Sequence, residues 1–599
     1  MKQRLLYLIR LYITLILIFV TQKIVFMLVN IGHADGASFG SCVAVLWHGL
    51  RLDSVAACYV MIVPLLIVIV SCFFRRFALR KVLMPYYVVA ALFMTLVFAV
   101  DTILYFFWGS KFDAAELFYA ADPAGIFASL KVWVIVVSFA AVGAIAWHYL
   151  RRLRHATPEG VDRLHNRWAA LMLIPAAALV FLGMRGSVSQ STANPSFAYF
   201  SQYTFCNHAA LNPLFNFTHS LFKTKDLSKE FNLMPAEEAE AAVAPCYATD
   251  NGLSDTLLNR QRPDILLIIW EGGGKQMVLN DSVAPNLMRY CNEGVFFSNC
   301  YSNSFRTDRG VLSLLSGWVA LPTTSLMKMN DKCQRLPGLA EALHAKGYDT
   351  RFIYGGDIDF TNMRGYLHEV GFQTVGGSSD FPESRGLSAW GAPDAYTLRP
   401  DVLGYDDEAP APRFDVVLTL SSHEPWQVPM RRLADEHRNA FCYTDSCIAV
   451  LVDSLRRTPR WNNLLVVIVP DHGVPTYAGQ GTGDPAVAPI PRVWTGGAVR
   501  GHKEVGTVMN QSDLAATLLA QMGIEHSDFP FSRNVLSPAY ADQYHFALHS
   551  FKGGCNLFDE EGVATLDCND ISISGPATES KRHFFKALLQ YIYLKSGQL

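Results

Sequence analysis

RPDILLIIWEGGGKQ, residues Arg262 to Gln276, is the stretch that decides the fold. Ile265 to Trp270 are six apolar residues in a row, four of them β-branched or aromatic, as in a strand buried on both faces of a parallel sheet. The run stops at Glu271, followed by three glycines and the polar Lys275 and Gln276. Open α/β sheets build their sites at the carboxyl ends of central strands, so Glu271 is a candidate site residue.

Working outward, the 599 residues imply at least two structural units. Charged residues make up 17%, against ~25% in soluble domains, and apolar residues 51%. The formal charge of −2 gives no support for nucleic-acid binding. Nearly all the apolar excess precedes residue 185, in five runs: Leu5–Val29, Val55–Phe74, Val82–Trp108, Phe127–Leu150 and Trp168–Met184. Each is near the ~20 residues that cross a hydrocarbon core. A cleaved leader would explain only the first. Lys2 and Arg4 precede the first run, and Arg75, Arg76, Arg80 and Lys81 separate the second and third. Arg151, Arg152, Arg154, Arg163 and Arg167 separate the fourth and fifth. The loops around 32–53 and 109–126 are poor in Lys and Arg. The positive-inside rule then predicts a cytoplasmic N-terminus and an extracytoplasmic chain after Met184.

Three charges near these runs have two readings each. Asp101 inside the third run is either functional or a wetted interfacial acid. Arg51 and Asp53 either meet lipid headgroups or are ordinary helix-end charges.

The expected organisation is a five-helix transmembrane domain over 1–184, a linker over 185–262 and an α/β domain over 263–599. In the linker, Asn212–Lys223 reads as an interfacial amphipathic helix and Pro235–Pro245 as a short acidic connector. From Pro263 strand and helix patterns alternate. Strands are predicted at Ile265–Trp270, Val295–Asn299, Thr350–Tyr354, Phe414–Leu420, Leu464–Val469 and Arg492–Trp494. Helices are predicted at Leu336–Lys346, Asp435–Arg456 and Asp513–Met522. Such alternation implies a mostly parallel sheet with helices on both faces. HFALHSF, His545–Phe551, suggests a small antiparallel sheet, and a final helix is expected from about Ser580 to Leu594. Of twelve cysteines, eight lie between Cys246 and Cys568. Cys291/Cys300, Cys442/Cys447 and Cys555/Cys568 are candidate local disulfides, with free thiols the alternative.

Two further stretches supply partners for Glu271. NLLVVIVPDHG, Asn463 to Gly473, is a second buried strand ending in Asp471 and His472. Carboxylate and imidazole suit a divalent cation, although an Asp capping a turn would read the same way. In NSFRTDRGVLSLLSG, Asn303 to Gly317, Thr307 stands where an N-cap is expected. It either caps a helix or presents a nucleophilic hydroxyl where backbone N–H groups favour an anion.

The order of strand-end acid, helix-start hydroxyl and strand-end Asp-His resembles the alkaline phosphatase superfamily. With five preceding membrane helices, the whole chain is similar to membrane sulfatase-like proteins of the lipoteichoic acid synthase type. That resemblance implies a threonine that takes a phosphoglycerol-like unit from a membrane phospholipid and passes it to an envelope lipid, glycan or polymer. It implies Glu271, Thr307, Asp471 and His472 as ligands of one divalent metal, with Thr307 also the nucleophile. Manganese is the first choice, with magnesium or zinc the alternatives. In SSHEPW, His423 matches the family's substrate-site histidine, a second catalytic candidate beside the reading of a structural histidine. YGGDIDFTNMRGYL resembles the headgroup loop, which makes Asp357 and Arg364 substrate-binding candidates. Gly355 and Met363 stand where that loop usually has a histidine and a tryptophan. QSDLAATLLAQMG, Gln511 to Gly523, resembles a scaffold helix. The three glycines after Glu271 are expected to leave room for a metal and a bulky phosphodiester. Thr307 is followed by Asp308-Arg309-Gly310 rather than the xPxR of formylglycine sulfatases. The remaining alternatives are a phosphoethanolamine transferase, a sulfatase-like ester hydrolase and a non-catalytic envelope binding protein.

Overall fold

A computed structural model describes residues 1–34, 36–114, 132–162, 164, 167–223, 225–248, 250–405, 412–477 and 479–599. Its contacts divide the chain into two compact units, Met1–Lys225 and Asp226–Leu599.

The first unit is helical: α1 Lys2–Val29, α2 Phe39–Ser71, α3 Leu79–Trp108, α4 Val132–Ala156 and α5 Leu173–Arg185. Among the described residues, four helical spans are long and apolar enough to cross a membrane: α1, α2, α3 and Trp168–Arg185. The start of the predicted run Phe127–Leu150, most of the 109–126 loop and Arg163 lie outside the described residues. Two short helices follow, α6 Thr204–Ala210 and α7 Pro213–Leu221. α7 is the predicted amphipathic segment, and Asn212 caps it by accepting from Phe215 N at 3.0 Å.

The charges near the apolar runs are used differently from either reading. Asp53 is fully buried, paired with Lys23 of α1 and accepting from Asn212 Nδ2 at 2.8 Å. Gly49 makes this possible, because a Cβ there would lie 2.2 Å from Lys23 Cε. Asp101 is also fully buried, paired with Lys111 and accepting from Phe112 N at 3.0 Å. A charge removed from water needs a partner, and each acid has found a lysine. Arg51 does not share this interior; its guanidinium lies over the Phe197 ring.

The second unit is α/β. A nine-stranded sheet contains β1 Asp264–Trp270, β2 Val295–Tyr301, β3 Asp349–Tyr354, β4 Thr374–Gly376, β5 Arg413–Leu418, β6 Leu464–Pro470, β7 Pro489–Thr495, β8 Lys503–Val505 and β9 Met509–Asn510. The order is β8-β2-β7-β6-β1-β5-β3-β4, with β9 also paired to β2. All neighbours are parallel except β7, which runs against β2 and β6. β1 lies between β6 and β5 with every residue buried, which is why it reads as an unbroken apolar run.

The longer helices of this unit are α8 Ala236–Val243, α9 Pro285–Glu293, α10 Thr307–Ser316, α11 Leu339–His344, α12 Met363–Glu369, α13 Glu436–Leu455, α14 Leu514–Gln521 and α15 Glu579–Gln598. Asp435 starts α13 by accepting from Arg438 N at 2.8 Å, and Thr578 caps α15 through Lys581 N. The connector expected at Pro235–Pro245 is instead mostly helix. Ala239 and Val243, four apart, are both fully buried, and Lys595 of α15 pairs with Glu240. A second, four-stranded antiparallel sheet runs β10 Ala547–Phe551, β11 Gly554–Asp559, β12 Gly562–Asp567 and β13 Ile573–Ser574. All twelve cysteines are free thiols.

Candidate active site

The register of β1 and β6 builds the centre of the site. Trp270 pairs with Pro470, so the next residues, Glu271 and Asp471, leave two adjacent parallel strands side by side. Asp471 N donates to Trp270 O at 3.3 Å, and Asp471 Oδ1 accepts from Gly272 N at 2.9 Å and His472 N at 2.8 Å. His472 Nε2 is 3.3 Å from Glu271 Oε1 and 3.4 Å from Asp471 Oδ2. Its Nδ1 donates to Gly473 O at 3.0 Å, which turns Nε2 toward the two acids.

Thr307 completes the cluster. It opens α10 as the first helical residue, with Arg306 in the cap position, so it is not the N-cap that its context predicts. Its hydroxyl is therefore released from capping and donates to Glu271 Oε2 at 3.0 Å. Gly310 allows α10 to come this close, since a Cβ there would stand 2.0 Å from Asp471 O. The three glycines have a purpose different from the expected one. A Cβ at Gly272 would meet Val474 at 2.9 Å, at Gly273 Pro470 at 3.0 Å, and at Gly274 Gly473 Cα at 3.0 Å. They let the two strand-end loops pack together; they do not line an open space.

The backbone of Glu271 is held from the other side. Its N–H donates to Thr419 Oγ1 at 3.0 Å, and Ser422 Oγ donates to its carbonyl at 2.6 Å. His423 follows, half-buried past the end of β5, with Nδ1 donating to Glu424 O at 2.6 Å and Nε2 left for another partner. Its ring lies 4.8 Å from that of Trp390. It contributes to holding the Glu271 carboxyl below its ordinary value, which places it within electrostatic reach of the cluster. Asp357, past the end of β3, shares the field at Tyr354 with Glu271 and Asp471, and its Oδ1 accepts from Asp359 N at 3.1 Å. Arg364, the second residue of α12, donates through Nε to Asp359 at 2.7 Å.

Thr419, Ser422, Asp394 and Gln511 escape a reading of the sequence. Asp394 Oδ1 accepts from Leu420 N at 2.7 Å and Ser421 N at 3.1 Å, which fixes the turn before His423. Gln511 Nε2 donates to Pro470 O and Asp471 O, and its Oε1 accepts from Asn303 N. Their roles depend on backbone groups 26 to 208 residues away along the chain, so local patterns do not carry them. Two had a signal: Ser422 in its place beside His423, and Gln511 as the first residue of QSDLAATLLAQMG.

Electrostatics follow from burial and crowding. Burial works against the charge of Glu271, but the hydrogen bond and charge of His472, aided by His423 and the Thr307 hydroxyl, hold it below the ordinary carboxylate value. Burial and the charge of Glu271 push Asp471 up to about 7. Burial opposes protonation of His472, but Asp471 and Glu271 outweigh it and raise His472 to about 9. Asp471 Oδ2 is buried without a hydrogen-bond donor. The ligand atoms of Glu271, Asp471 and His472 all lie within 4.8 Å of one another. Two carboxylates, an imidazole lone pair and an orphaned oxygen fit a divalent cation.

Residues 263–524 match the sulfatase family model. The structure is similar to that of an alkaline phosphatase superfamily protein from Vibrio parahaemolyticus, with TM-score 0.53, 19% identity and coverage of 62% of this chain and 98% of that one. It is also similar to the lipoteichoic acid synthase LtaP from Listeria monocytogenes, with TM-score 0.50, 14% identity and coverage of 60% and 97%. At such identities the likeness establishes the fold, and the family model adds the sequence signal. Apolar helices thus precede a mostly parallel α/β domain that matches the sulfatase family model through residues 263–524, shares its fold with structures of the alkaline phosphatase superfamily, and gathers three side chains that could hold a metal ion.

Proposed function

We propose that the chain is a membrane-anchored phosphotransferase that moves a phosphoglycerol-like headgroup from a membrane phospholipid to an envelope lipid, glycan or polymer. The observation that carries this reading is the Thr307 hydroxyl, at the start of α10, bonded to Glu271 within the cluster of Glu271, Asp471 and His472. The catalytic domain would face the extracytoplasmic side of the cell membrane, as the charge pattern of the loops suggests.

In this reading Thr307 Oγ attacks the phosphorus of the donor diester as its proton passes to Glu271 Oε2, to which it is hydrogen-bonded. The bond to the lipid's glycerol oxygen breaks, and that oxygen takes a proton from His423 Nε2. A threonine phosphodiester results. The acceptor hydroxyl then attacks the same phosphorus and gives its proton to His423, and the Thr307 oxygen leaves, taking its proton back from Glu271. Glu271 thus orients the Thr307 hydroxyl before attack and after release. The N–H groups of the first turn of α10 face the phosphoryl oxygens. Asp357 and Arg364 contact the headgroup. A divalent ion held by Glu271, Thr307, Asp471 and His472 would draw charge from the Thr307 oxygen and the phosphoryl group. Hard oxygen donors with one imidazole favour manganese, with magnesium or zinc as alternatives.

The test is to incubate the full-length protein with manganese and phospholipid, quench, and measure the mass of the peptide containing Thr307. A headgroup adduct on Thr307, and loss of transfer in a folded Thr307→Ala variant, are expected. Wild-type turnover in Thr307→Ala refutes the assignment, and the mass of the adduct identifies the donor headgroup.

A further inference from the structure

The unit Met1–Lys225 contains a groove that the chemistry above leaves unused. It is a cavity of about 520 Å³ bounded by α2, α3 and α7, within the ~300–1,000 Å³ range of ligand sites. Ala56 of α2, Ala90 of α3 and Ala193 are the small residues of its lining. Tyr86 crosses between these helices, its hydroxyl donating to Val60 O at 2.6 Å. That carbonyl is the one Pro64, four residues further on, has no N–H to bond. The proline frees an acceptor, and a tyrosine from the neighbouring helix takes it, tying α2 to α3 beside the cavity. Phe93, Met94, Leu214 and Phe215 add further apolar walls.

The groove opens on an apolar face. Tyr59, Val89 and Phe222 on its rim are 46%, 66% and 87% exposed. An exposed apolar patch of this kind marks a binding face. On helices long and apolar enough to cross a membrane, the medium that meets it is hydrocarbon. A peptide segment is a poor occupant: the Thr218 hydroxyl is already given to Leu214 O at 2.7 Å, and an extended backbone would find few partners for its amides. The lining contains no acidic residue, and its lysine, Lys223, is exposed just past the end of α7. A long apolar slot with a cation at its edge complements a hydrocarbon chain carrying a negative head.

We propose that this groove binds one acyl chain of an anionic glycerophospholipid of the bilayer, with the lipid phosphate held at Lys223. The site lies within the helical unit, and its lipid binding does not depend on which headgroup the α/β domain transfers.

Native mass spectrometry of the full-length protein, stripped of lipid in detergent and then titrated with dioleoyl phosphatidylglycerol or dioleoyl phosphatidylcholine, tests this. The wild type should retain one phosphatidylglycerol in preference to phosphatidylcholine. Ala90→Trp, which fills the space between α2 and α3, should weaken retention of both lipids at least about tenfold. Lys223→Glu, at an exposed position, should cut phosphatidylglycerol retention about fivefold or more and affect the zwitterionic phosphatidylcholine much less, which erases the preference between them. The proposal is overturned if Ala90→Trp, eluting as a monodisperse species, retains phosphatidylglycerol like the wild type, since binding is then a general property of the apolar surface. An unchanged preference between the two lipids in Lys223→Glu overturns it equally, and that variant decides the matter if Ala90→Trp does not fold.

Discussion

Gly310→Ala is the sharpest perturbation the site allows, because it adds one methyl group and no charge. The new Cβ would lie 2.0 Å from Asp471 O and 2.7 Å from Asp471 C, whereas real contacts stay at 3.0 Å or more. Neither obstacle is a flexible side chain. Both belong to the backbone that leaves β6, which Gln511 grips through the carbonyls of Pro470 and Asp471. The start of α10 must therefore retreat by about 1 Å, a displacement that costs on the order of 10²-fold in rate. The Thr307–Glu271 hydrogen bond, now 3.0 Å, would stretch toward about 4 Å and cease to be one. Stability should change less, since overpacking costs about 1–3 kcal/mol while alanine in place of glycine in a helix returns about 1 kcal/mol. The assay compares turnover of a phospholipid substrate, manganese affinity and Tm in Gly310→Ala with Gly506→Ala. At Gly506 the nearest atom is Ser298 Oγ at 3.8 Å, so the same chemical change has room. Wild-type turnover and metal affinity in Gly310→Ala would show that the approach of α10 to Asp471 is not what positions Thr307.

Other expectations follow from the same geometry. In the metal-free protein His472 is raised from 6.5 to about 9 and Asp471 from 3.8 to about 7. Each raised pKa contributes stability at low pH that is lost as pH climbs from the unfolded to the folded value, so metal-free Tm should fall between about pH 4 and 9, through Asp471 first and His472 above about pH 6.5. Ligand protons must leave for a cation to bind, so the Tm gain on adding manganese should grow over that interval; a gain that is flat or shrinks with pH would contradict the ligand set. Asp394→Ala strands two buried N–H groups before His423 at about 1–3 kcal/mol each, and it should lower kcat while leaving manganese affinity near wild type. Equal losses in both would mean that Asp394 supports the metal ligands rather than the His423 turn. Arg533 makes two contacts to Asp513, at 3.0 and 2.7 Å, with both side chains buried. Arg533→Ala should therefore cost about 3–5 kcal/mol in urea unfolding, and a loss under about 1 kcal/mol would refute the importance of that pair.

What the sequence makes legible follows from how local each cause is. β1 and β6 are visible because burial on both faces leaves no room for polar residues. Glu271, Asp471 and His472 are visible because each interrupts such a run. α13 and α15 announce themselves through a capping residue and a long periodic pattern. The register that sets Glu271 beside Asp471 depends on pairing across nearly two hundred residues, and no local pattern contains it. The same is true of the lysines. Lys23 and Lys111 look like misplaced surface charges until Asp53 and Asp101 are seen to face them. Pro235–Pro245 misleads in the opposite sense. Its acidic composition suggests a solvated connector, but an acidic first turn also suits a helix start, and α15 supplies the surface that Ala239 and Val243 need.

The pairing of Trp270 with Pro470 also separates what can vary from what cannot. The two acids are fixed by the sheet, whereas Asp357, Trp390 and His423 hang on loops that leave β3, β4 and β5. Loop changes can reshape the substrate's surroundings without moving Glu271 relative to Asp471. A one-residue deletion within β1 would do the reverse, turning Glu271 away from its neighbour while every loop stayed intact. Chemistry and specificity are thus encoded on separate parts of the chain, and either can be altered while the other is held constant.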